Sequence, residues 1–308
     1  MSPGWLCGLH ADYTETRQCL PRQLDLHEHR NRTRESRTHF TLLCEIFLLY
    51  SLIPLNLGRY AFFTILRDPM HRYLREWLHI RRHATSWNNS TLLCNGKLPN
   101  ASHYQPCPCS KATNNSHLSL SSFASCPNSL SNNRQTRMIA SIDELGCYSK
   151  LSEWTRPTCG AFLTSPQIDL LASAVDNLLR SFVTFGLIEH IIYTQYMYSE
   201  HFGLIFRKPF SKPLNATHVS LASAITDLLP KNDKDIVRPR NRLDELFFQI
   251  AQHIFAHRLS MHLQTDSFIP RLLRIHLRHA EPKRLLTDYD LESKISRHIF
   301  HIRNMKQK

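Results

Sequence analysis

Glycine is scarce in this chain, since only eight of its 308 residues are glycine. The spacing G-x-G-x-x-G does not occur, so the glycine-rich turn of a dinucleotide-binding domain is excluded. No G-x-x-x-x-G-K-[ST], H-E-x-x-H or G-x-S-x-G motif occurs either. Because each of these motifs carries the chemistry of one enzyme class, their absence excludes the common P-loop motors, zinc metalloproteases and serine hydrolases.

The cysteines lack the paired C-x-x-C spacing of a zinc ribbon, and they are too numerous for a lone catalytic thiol. Several disulfides in an oxidising compartment explain them more simply. Because the total is odd, at least one thiol is left unpaired. The nine cysteines are Cys7, Cys19, Cys44, Cys94, Cys107, Cys109, Cys126, Cys147 and Cys159.

Six N-x-[ST] sequons occur, and four of them crowd into the polar stretch 88–116. A cluster of glycan acceptors in a polar loop favours the secretory lumen. The start of the sequence has none of the regions of a signal peptide. We therefore expect an upstream segment that carries a membrane anchor. The sequons begin at Asn31, Asn88, Asn89, Asn100, Asn114 and Asn215.

Basic residues outnumber acidic ones by 38 to 25, which gives a formal net charge of +13. The 19 histidines add positive charge below about pH 6.5. This excess predicts a polyanionic partner. Nucleic acid, anionic lipid and sulfated polysaccharide all attract Lys and Arg by the same electrostatics, so charge does not choose among them. Because the sequons argue against the nucleus and the cytosol, which hold nucleic acid, we expect no nucleic-acid partner.

The longest apolar run is Phe40–Leu57, which follows a charged stretch at 22–39. Its length is at the lower limit of a membrane span. Glu45 would be costly inside a bilayer, and Pro54 would break a helix near its end. Three interpretations of the run remain open: a transmembrane helix, a buried hydrophobic hairpin and an inserted segment.

The segment Tyr60–Trp77 predicts a strand, a tight turn and an amphipathic helix. Asp68 suits the N-cap and Pro69 the first helical position. Arg67, at the end of the strand and beside the helix N-terminus, is well placed to hold a phosphate. The alternative is a surface arginine paired with a neighbouring acid. The apolar helix face comprises Met70, Tyr73, Leu74, Trp77 and Ile80, and the basic face comprises His71, Arg75, His79 and Arg82.

Further elements alternate between helix and strand, as in α/β proteins. A helix starts at Ser165-Pro166, a strand covers 182–188, a helix over 189–202 is closed by Gly203, and a last helix covers 241–259. The periodicity predicts the buried face of the helix that starts at Ser165. Its members are Ile168, Leu171, Val175, Leu178, Leu179 and Phe182.

His10 lies between Cys7 and Cys19. A bridge between these two cysteines would hold a small rigid loop around it. A positioned histidine is the usual general base for taking a proton from a hydroxyl, and Asp12 could orient it. The alternative is a structural histidine of a loop.

Five segments of the chain are long or distinctive enough to compare with known families. They are WLCGLHADYTETRQC, FTILRDPMHRYLREW, NNRQTRM, LGCY and FGLIEHIIYTQYMYSEHFGLIFRKPF. These segments resemble, in the same order, segments of the heparan sulfate 6-O-sulfotransferases. The similarity spans residues 4 to about 218, apart from 22–58. It implies a P-loop-NTPase-like sulfotransferase fold with a central parallel sheet, in a type II Golgi membrane enzyme whose catalytic domain is luminal. It further implies transfer of a sulfuryl group from 3′-phosphoadenosine 5′-phosphosulfate (PAPS) to the 6-hydroxyl of glucosamine in heparan sulfate, without a metal.

The same resemblance implies roles for individual residues. His10 matches the base that deprotonates the sugar hydroxyl, and Arg67 matches the arginine that holds the cofactor's 3′-phosphate. The acceptor-contacting positions match Trp5, His79 and Trp87. The remaining cofactor-binding positions match Arg75, Lys212, Pro213, His218 and Val219.

Three features depart from the family pattern. The family's upstream Lys-Thr-Gly-Gly-Thr-Thr loop, which cradles the 5′-phosphosulfate, is absent, so we expect a fold that lacks the N-terminal phosphate-loop strand. Arg75 stands where the family has a serine that binds the cofactor. The run Phe40–Leu57 interrupts the approach to the strand, and without Cys44 inside it the cysteine count is even.

We therefore predict an incomplete sulfotransferase domain in 1–21 and 59–265, a charged linker with a hydrophobic insertion in 22–58, and a basic C-terminal tail in 266–308. The predicted partners are heparan sulfate chains and a membrane. The membrane would be reached through the missing N-terminal anchor or through residues 40–57. The alternative function is a catalytically inactive fragment that binds heparan sulfate.

Overall fold

The computed structural model describes part of the chain. The described residues are 14, 51–55, 59–81, 94–95, 97, 118–125, 129–158, 162–204, 206, 210 and 229–265. In chain order, their strands and helices are β1 (Ser51–Leu55), β2 (Arg59–Leu66), α1 (Pro69–Arg81), α2 (Leu120–Ala124), α3 (Arg134–Ile139), α4 (Leu151–Trp154), α5 (Ser165–Arg180), β3 (Phe182–Leu187), α6 (Ile191–Phe202), α7 (Lys231–Val237) and α8 (Arg242–Thr265). Short 3₁₀ turns lie at Cys147–Lys150, Ile188–His190 and Arg238–Asn241.

The chain divides into two compact units. The first unit contains Met1–Phe40, Pro69–Asn177 and Leu221–Phe247, and the second contains Thr41–Asp68, Leu178–Ser220 and Phe248–Lys308. The predicted domain boundaries near residues 21, 58 and 265 each adjoin residues outside the described part. Those boundaries therefore stay predictions.

The second unit contains a three-stranded sheet in the order β1-β2-β3. Strands β2 and β3 are parallel, whereas β1 and β2 are antiparallel. The predicted α/β class is thus confirmed as a mixed α/β structure, whose small sheet contains one parallel strand pair and one antiparallel pair. Only residues 56–58 join β1 to β2. A connection of that length permits an antiparallel hairpin but no parallel crossover.

Strand β1 lies at the end of the apolar run Phe40–Leu57. Pro54 is tolerated there because β1 is an edge strand, where a missing N–H costs no pairing between two neighbours. Residues 40–50 and 56–57 of the run lie outside the described part. The structure therefore shows only that residues 51–55 form a strand, and the three interpretations of the whole run stay open. Among the helices that the structure describes, none is both long enough and apolar enough to cross a bilayer.

Helix α1 forms as the sequence predicts. It starts at Pro69, and its apolar side packs into a core with α2 and α7. Tyr73 and Leu74 are fully buried, and the Tyr73 ring lies 5.1 Å from that of Phe123. Burial is the main cause that raises the pKa of the Tyr73 hydroxyl above its ordinary value. The partly buried members of this core are Met70, Trp77, Ile80, Leu118, Leu229 and Ile236.

The first unit also buries a network of charged side chains that the periodicity of α1 does not predict. Arg72 lies 2.6 Å from Glu76 through Nη1 and 3.5 Å from Asp244 through Nε, and all three residues are buried. Arg134 approaches the other oxygen of Glu76 at 3.2 Å. Two guanidinium groups therefore face two carboxylates away from water. Burial lowers the pKa of Arg134 to about 10, and the charge of Glu76 opposes that shift.

Backbone hydrogen bonds complete the network. Asp244 accepts the Thr136 N–H at 2.8 Å and the Gln135 N–H at 3.1 Å. The Asn133 side chain donates to the Trp154 carbonyl at 2.8 Å and accepts the Leu243 N–H at 3.0 Å. Asn133, Gln135 and Thr136 belong to the NNRQTRM segment that carries part of the family resemblance. That segment is structural here, because its side chains satisfy buried polar groups of its own unit.

The predicted buried face of α5 is partly wrong, because two of its members are exposed while Leu178 and Phe182 are buried as predicted. Ile168 is 53% exposed and Leu179 is 48% exposed, whereas Gln167 and Asn177 are buried. Gln167 donates to the Glu153 carbonyl, and Asn177 donates to the Ile139 carbonyl. The helix turns these two amides inward because they satisfy buried carbonyl groups that no apolar side chain could satisfy. A periodicity count based on apolar residues alone cannot detect this.

A disulfide joins Cys94 and Cys147 in the first unit, with an S–S distance of 2.08 Å. The sequence pattern left the cysteine pairing open, and the other cysteines are outside the described residues. The bridge separates its two cysteines by 53 positions in the sequence. It thus closes a long loop of the first unit covalently.

Replacement of Glu76 by alanine should lower the free energy of unfolding by about 3 to 5 kcal/mol, because it leaves two buried guanidinium groups without their shared carboxylate. The matched control is Glu245→Ala, which removes the partly exposed partner of Arg242 at 3.5 Å. That control should cost less than about 1 kcal/mol. Urea unfolding of the two variants provides the measurement, and equal losses would show that the buried network does not stabilise this unit.

Candidate functional site

The turn between β2 and α1 carries the arginine predicted to bind phosphate. Strand β2 ends at Leu66, which is fully buried, and Pro69 opens α1. Arg67 and Asp68 lie between these elements and are half-buried. The predicted strand, turn and helix are therefore confirmed. Arg67 belongs to the second unit and stands at the carboxyl end of its strand.

The parallel neighbour β3 ends at the same edge of the sheet. Leu66 pairs with Leu187, the last residue of β3, and a 3₁₀ turn at Ile188–His190 follows directly. Glu189 in this turn accepts the Asp68 N–H through Oε1 at 2.9 Å. Parallel pairing thus brings the residues that follow two distant strands together, as is common at ligand sites of α/β proteins.

Glu189 is the residue of this site that the sequence analysis missed, since it assigned Glu189 only to the start of a helix. Its carboxylate is half-buried, and its Oε2 atom is buried without a hydrogen-bond partner among the described residues. Burial raises the pKa of Glu189, and the neighbouring Asp68 charge adds to that rise. The N–H donors of Asp68 and Glu189 and the charge of Arg67 oppose it. An acid directly after a buried strand was the available signal.

A close contact fixes the end of β3 against α6. The Thr194 hydroxyl accepts the Leu187 N–H at 2.8 Å and contacts the Leu187 carbonyl at 3.0 Å. A side-chain carbon at Gly186 would lie 2.1 Å from the Thr194 methyl carbon. Only glycine fits this approach, because a Cβ atom would overlap Thr194. The turn that carries Glu189 therefore follows directly from a strand end that is held in place.

Arg75 and His79 lie one helical turn apart on α1 in the first unit, and both are half-buried. These two members of the predicted basic face thus lie on the same side of α1, and both side chains are only partly exposed to solvent. Burial lowers the pKa of Arg75 from its ordinary value. Arg82, the last member of the predicted face, lies outside the described residues.

Most of the other predicted site residues also lie outside the described part. These are His10, Trp5, Trp87, Lys212, Pro213, His218 and Val219. Their roles stay predictions. Within the described residues no three His, Cys, Asp or Glu side chains converge as metal ligands would, and the prediction that the chain uses no metal is left untested by this finding.

Comparisons with known proteins give a consistent result. The chain is 33% identical over 285 residues to zebrafish (Danio rerio) heparan-sulfate 6-O-sulfotransferase 1-B, covering 92% of this chain and 60% of that protein. It is 33% identical over 267 residues to human heparan-sulfate 6-O-sulfotransferase 1, covering 86% and 55%. A chicken heparan-sulfate 6-O-sulfotransferase 2 is 31% identical over 301 residues, covering 94% and 64%. The chain is a homologue of the heparan-sulfate 6-O-sulfotransferases.

The resemblance of the five segments to this family is therefore confirmed over most of the chain. No model of a known protein family matches the chain. The chain spans between half and two thirds of the length of the curated 6-O-sulfotransferases that it matches.

The electrostatics of Glu189 predict a pH dependence of stability. Because its pKa is raised in the folded state, the unfolded carboxyl ionises first, and folding stability falls as pH rises above the ordinary value of 4.5. A glutamine does not titrate. The free energy of unfolding of the Glu189→Gln variant minus that of the unsubstituted chain should therefore increase from about pH 4 upward. This difference should level off once the folded carboxyl has ionised.

Urea unfolding at several pH values from about 4 to 7 measures this difference. Glu153→Gln, which removes an exposed carboxylate on α4, is measured in parallel as the control. A difference that stays flat for Glu189→Gln, or that falls as pH rises, would contradict the raised pKa.

Proposed function

We propose that this chain transfers a sulfuryl group from PAPS to the 6-hydroxyl of glucosamine residues in heparan sulfate. The proposal is supported by the relatives of the chain, which are heparan-sulfate 6-O-sulfotransferases. It is supported independently by Arg67, a cation at the carboxyl end of a strand in a parallel pair. We propose further that the fold is of the P-loop-NTPase-like sulfotransferase type.

Arg67 would bind the 3′-phosphate of the donor. Its position at the carboxyl end of β2 favours this role, because a guanidinium fork matches the geometry of a phosphate. The nearby acids Asp68 and Glu189 leave room for the alternative, in which Arg67 only pairs with them. A binding measurement distinguishes the two interpretations.

His10 would act as the general base. It takes the proton from the glucosamine 6-hydroxyl as that oxygen forms a bond to sulfur. The bond from sulfur to the bridging oxygen of PAPS breaks, and adenosine 3′,5′-bisphosphate (PAP) leaves with the electron pair. Such in-line transfer depends mainly on positioning and charge stabilisation. The assignment is supported by the match of the His10 segment to the family.

The remaining roles are proposals of the same kind. Trp5, His79 and Trp87 would contact the acceptor chain, and the segment Ser211–Val219 would add donor contacts through Lys212, Pro213, His218 and Val219. Arg75 replaces the family's serine. Arg75 is half-buried, and burial lowers its pKa. An arginine still donates to a phosphate but is far longer than a serine, so Arg75 is the weakest of the proposed donor contacts.

The proposed compartment is the Golgi lumen, with membrane attachment through an upstream anchor or residues 40–57. The sequon cluster and the Cys94–Cys147 disulfide support an oxidising luminal environment. Glycan occupancy at Asn89 or Asn215 would exclude the nuclear and cytosolic compartments that a nucleic-acid partner requires.

A second candidate is a noncatalytic protein that binds heparan sulfate, which the net charge of +13 favours. Purified protein supplied with PAPS and with completely desulfated, N-sulfated heparin distinguishes the two candidates. New sulfate at glucosamine 6-hydroxyls supports the enzyme. Retention on heparin without transfer supports the binding protein.

Replacement of Arg67 by alanine should weaken PAP binding by about 1.5 to 3 kcal/mol, the contribution of a hydrogen bond to a charged group. Titration calorimetry measures the affinity. Arg180→Ala is the matched control, because Arg180 is an exposed arginine at the end of α5. Equal PAP affinity of the Arg67→Ala and Arg180→Ala variants would show that Arg67 is a surface arginine that does not bind the donor.

Replacement of His10 by alanine should abolish transfer with little change in PAP affinity, since a general base contributes about a hundredfold or more to the rate. The measurement uses a protein that carries the phosphate-loop segment of a full-length relative ahead of Met1. His257→Ala, at an exposed position on α8, is the control and should keep its rate. Turnover retained in the His10→Ala variant would refute the assignment of the base.

A further inference from the structure

We propose that Glu189 positions Arg67 for the donor phosphate by accepting the Asp68 N–H, and that its hydrogen bond rather than its charge does this. The proposal rests on the proposed function, in which Arg67 binds the 3′-phosphate of PAP. It makes Glu189 a positioning residue that acts through Arg67.

The geometry of the peptide unit supports this role. The Asp68 nitrogen belongs to the same planar peptide group as the Arg67 carbonyl. A donor–acceptor distance of 2.9 Å to Glu189 therefore fixes the backbone on the carboxyl side of Arg67. On the other side, Leu66 is held by its pairing with Leu187 in the parallel ladder. The Arg67 backbone is thus restrained from both directions.

The burial of Glu189 excludes a simpler role for its carboxylate. Oε1 is occupied by the Asp68 N–H, and Oε2 is buried. Neither oxygen is therefore presented to a bound nucleotide in this arrangement. A carboxylate near a phosphate also repels it, so its charge opposes donor binding. What remains for Glu189 to contribute is the position of the Arg67–Asp68 peptide.

The support under Glu189 is rigid enough for this purpose. The 3₁₀ turn that carries it follows Leu187, whose N–H is held by Thr194 at 2.8 Å. The close approach of Thr194 at Gly186 prevents β3 and α6 from moving together any further. A hydrogen-bond acceptor on a fixed turn can hold a neighbouring loop, and such support is what precise ligand geometry requires.

The decisive experiment compares three substitutions of Glu189 by calorimetric titration of PAP. Glu189→Gln keeps an oxygen for the Asp68 N–H and loses the charge, so affinity should equal or exceed that of the unsubstituted chain. Glu189→Ala removes the acceptor, and affinity should fall about tenfold. Glu189→Asp keeps the charge but withdraws the carboxylate by one methylene, and it should weaken binding as alanine does.

The same substitutions in an Arg67→Ala background separate positioning from general structural support. If Glu189 acts through Arg67, Glu189→Ala should change PAP affinity less than about twofold in that background. An equal loss in both backgrounds would overturn the proposal, and so would a glutamine variant as weak as the alanine variant. Thermal unfolding of every variant identifies any that does not fold, and the aspartate variant then replaces the alanine variant.

Two readouts do not depend on PAP binding. Hydrogen exchange at the Asp68 amide should accelerate about tenfold in Glu189→Ala and stay slow in Glu189→Gln. The rate at which phenylglyoxal modifies Arg67, followed by mass spectrometry, should change in the alanine and aspartate variants but not in the glutamine variant. If the unsubstituted chain does not bind PAP, the proposed function fails. Unchanged exchange and unchanged Arg67 reactivity would then overturn the positioning role as well, whereas the expected changes would support it.

Discussion

The candidate site depends on one interaction, the parallel pairing of β2 with β3. Leu66 and Leu187 are partners in that ladder, so the chain leaves both strands at the same edge of the sheet. More than a hundred residues separate the two strands in the sequence. Without this pairing the Asp68 N–H would lack the Glu189 carboxylate as its acceptor, and the turn that carries Arg67 would lose that support. The hairpin partner β1 pairs with β2 on the side away from β3.

Local sequence signals predicted the elements around the site well. Tyr60–Trp77 forms the predicted strand, turn and helix because β-forming residues, an Asp-Pro pair and a helical apolar stripe all agree there. Gly203 ends α6 in a left-handed conformation, with φ of 61°, as the closing glycine of a helix should. Each of these features depends on residues close together in the sequence, and such features are what pattern reasoning detects.

The features that were missed depend on partners far away in the sequence. Glu189 becomes part of the site only through strand pairing, which no local pattern specifies. Gln167 and Asn177 take inward positions on α5 because distant carbonyl groups need donors. The NNRQTRM segment correctly predicted the relation to the family but gave no indication of its role, and the structure uses its side chains for buried hydrogen bonds. A shared segment can therefore reflect packing as much as chemistry.

The disulfide between Cys94 and Cys147 has a consequence for how this chain survives proteolysis. The bond joins two points that lie 53 positions apart. A single cut of the backbone anywhere between them leaves both products covalently attached. The nicked molecule would keep its full mass until a reductant opened the bridge. In an oxidising lumen, the glycosylation sequons that begin at Asn100 and Asn114 would stay tethered to the first unit even after such a cut.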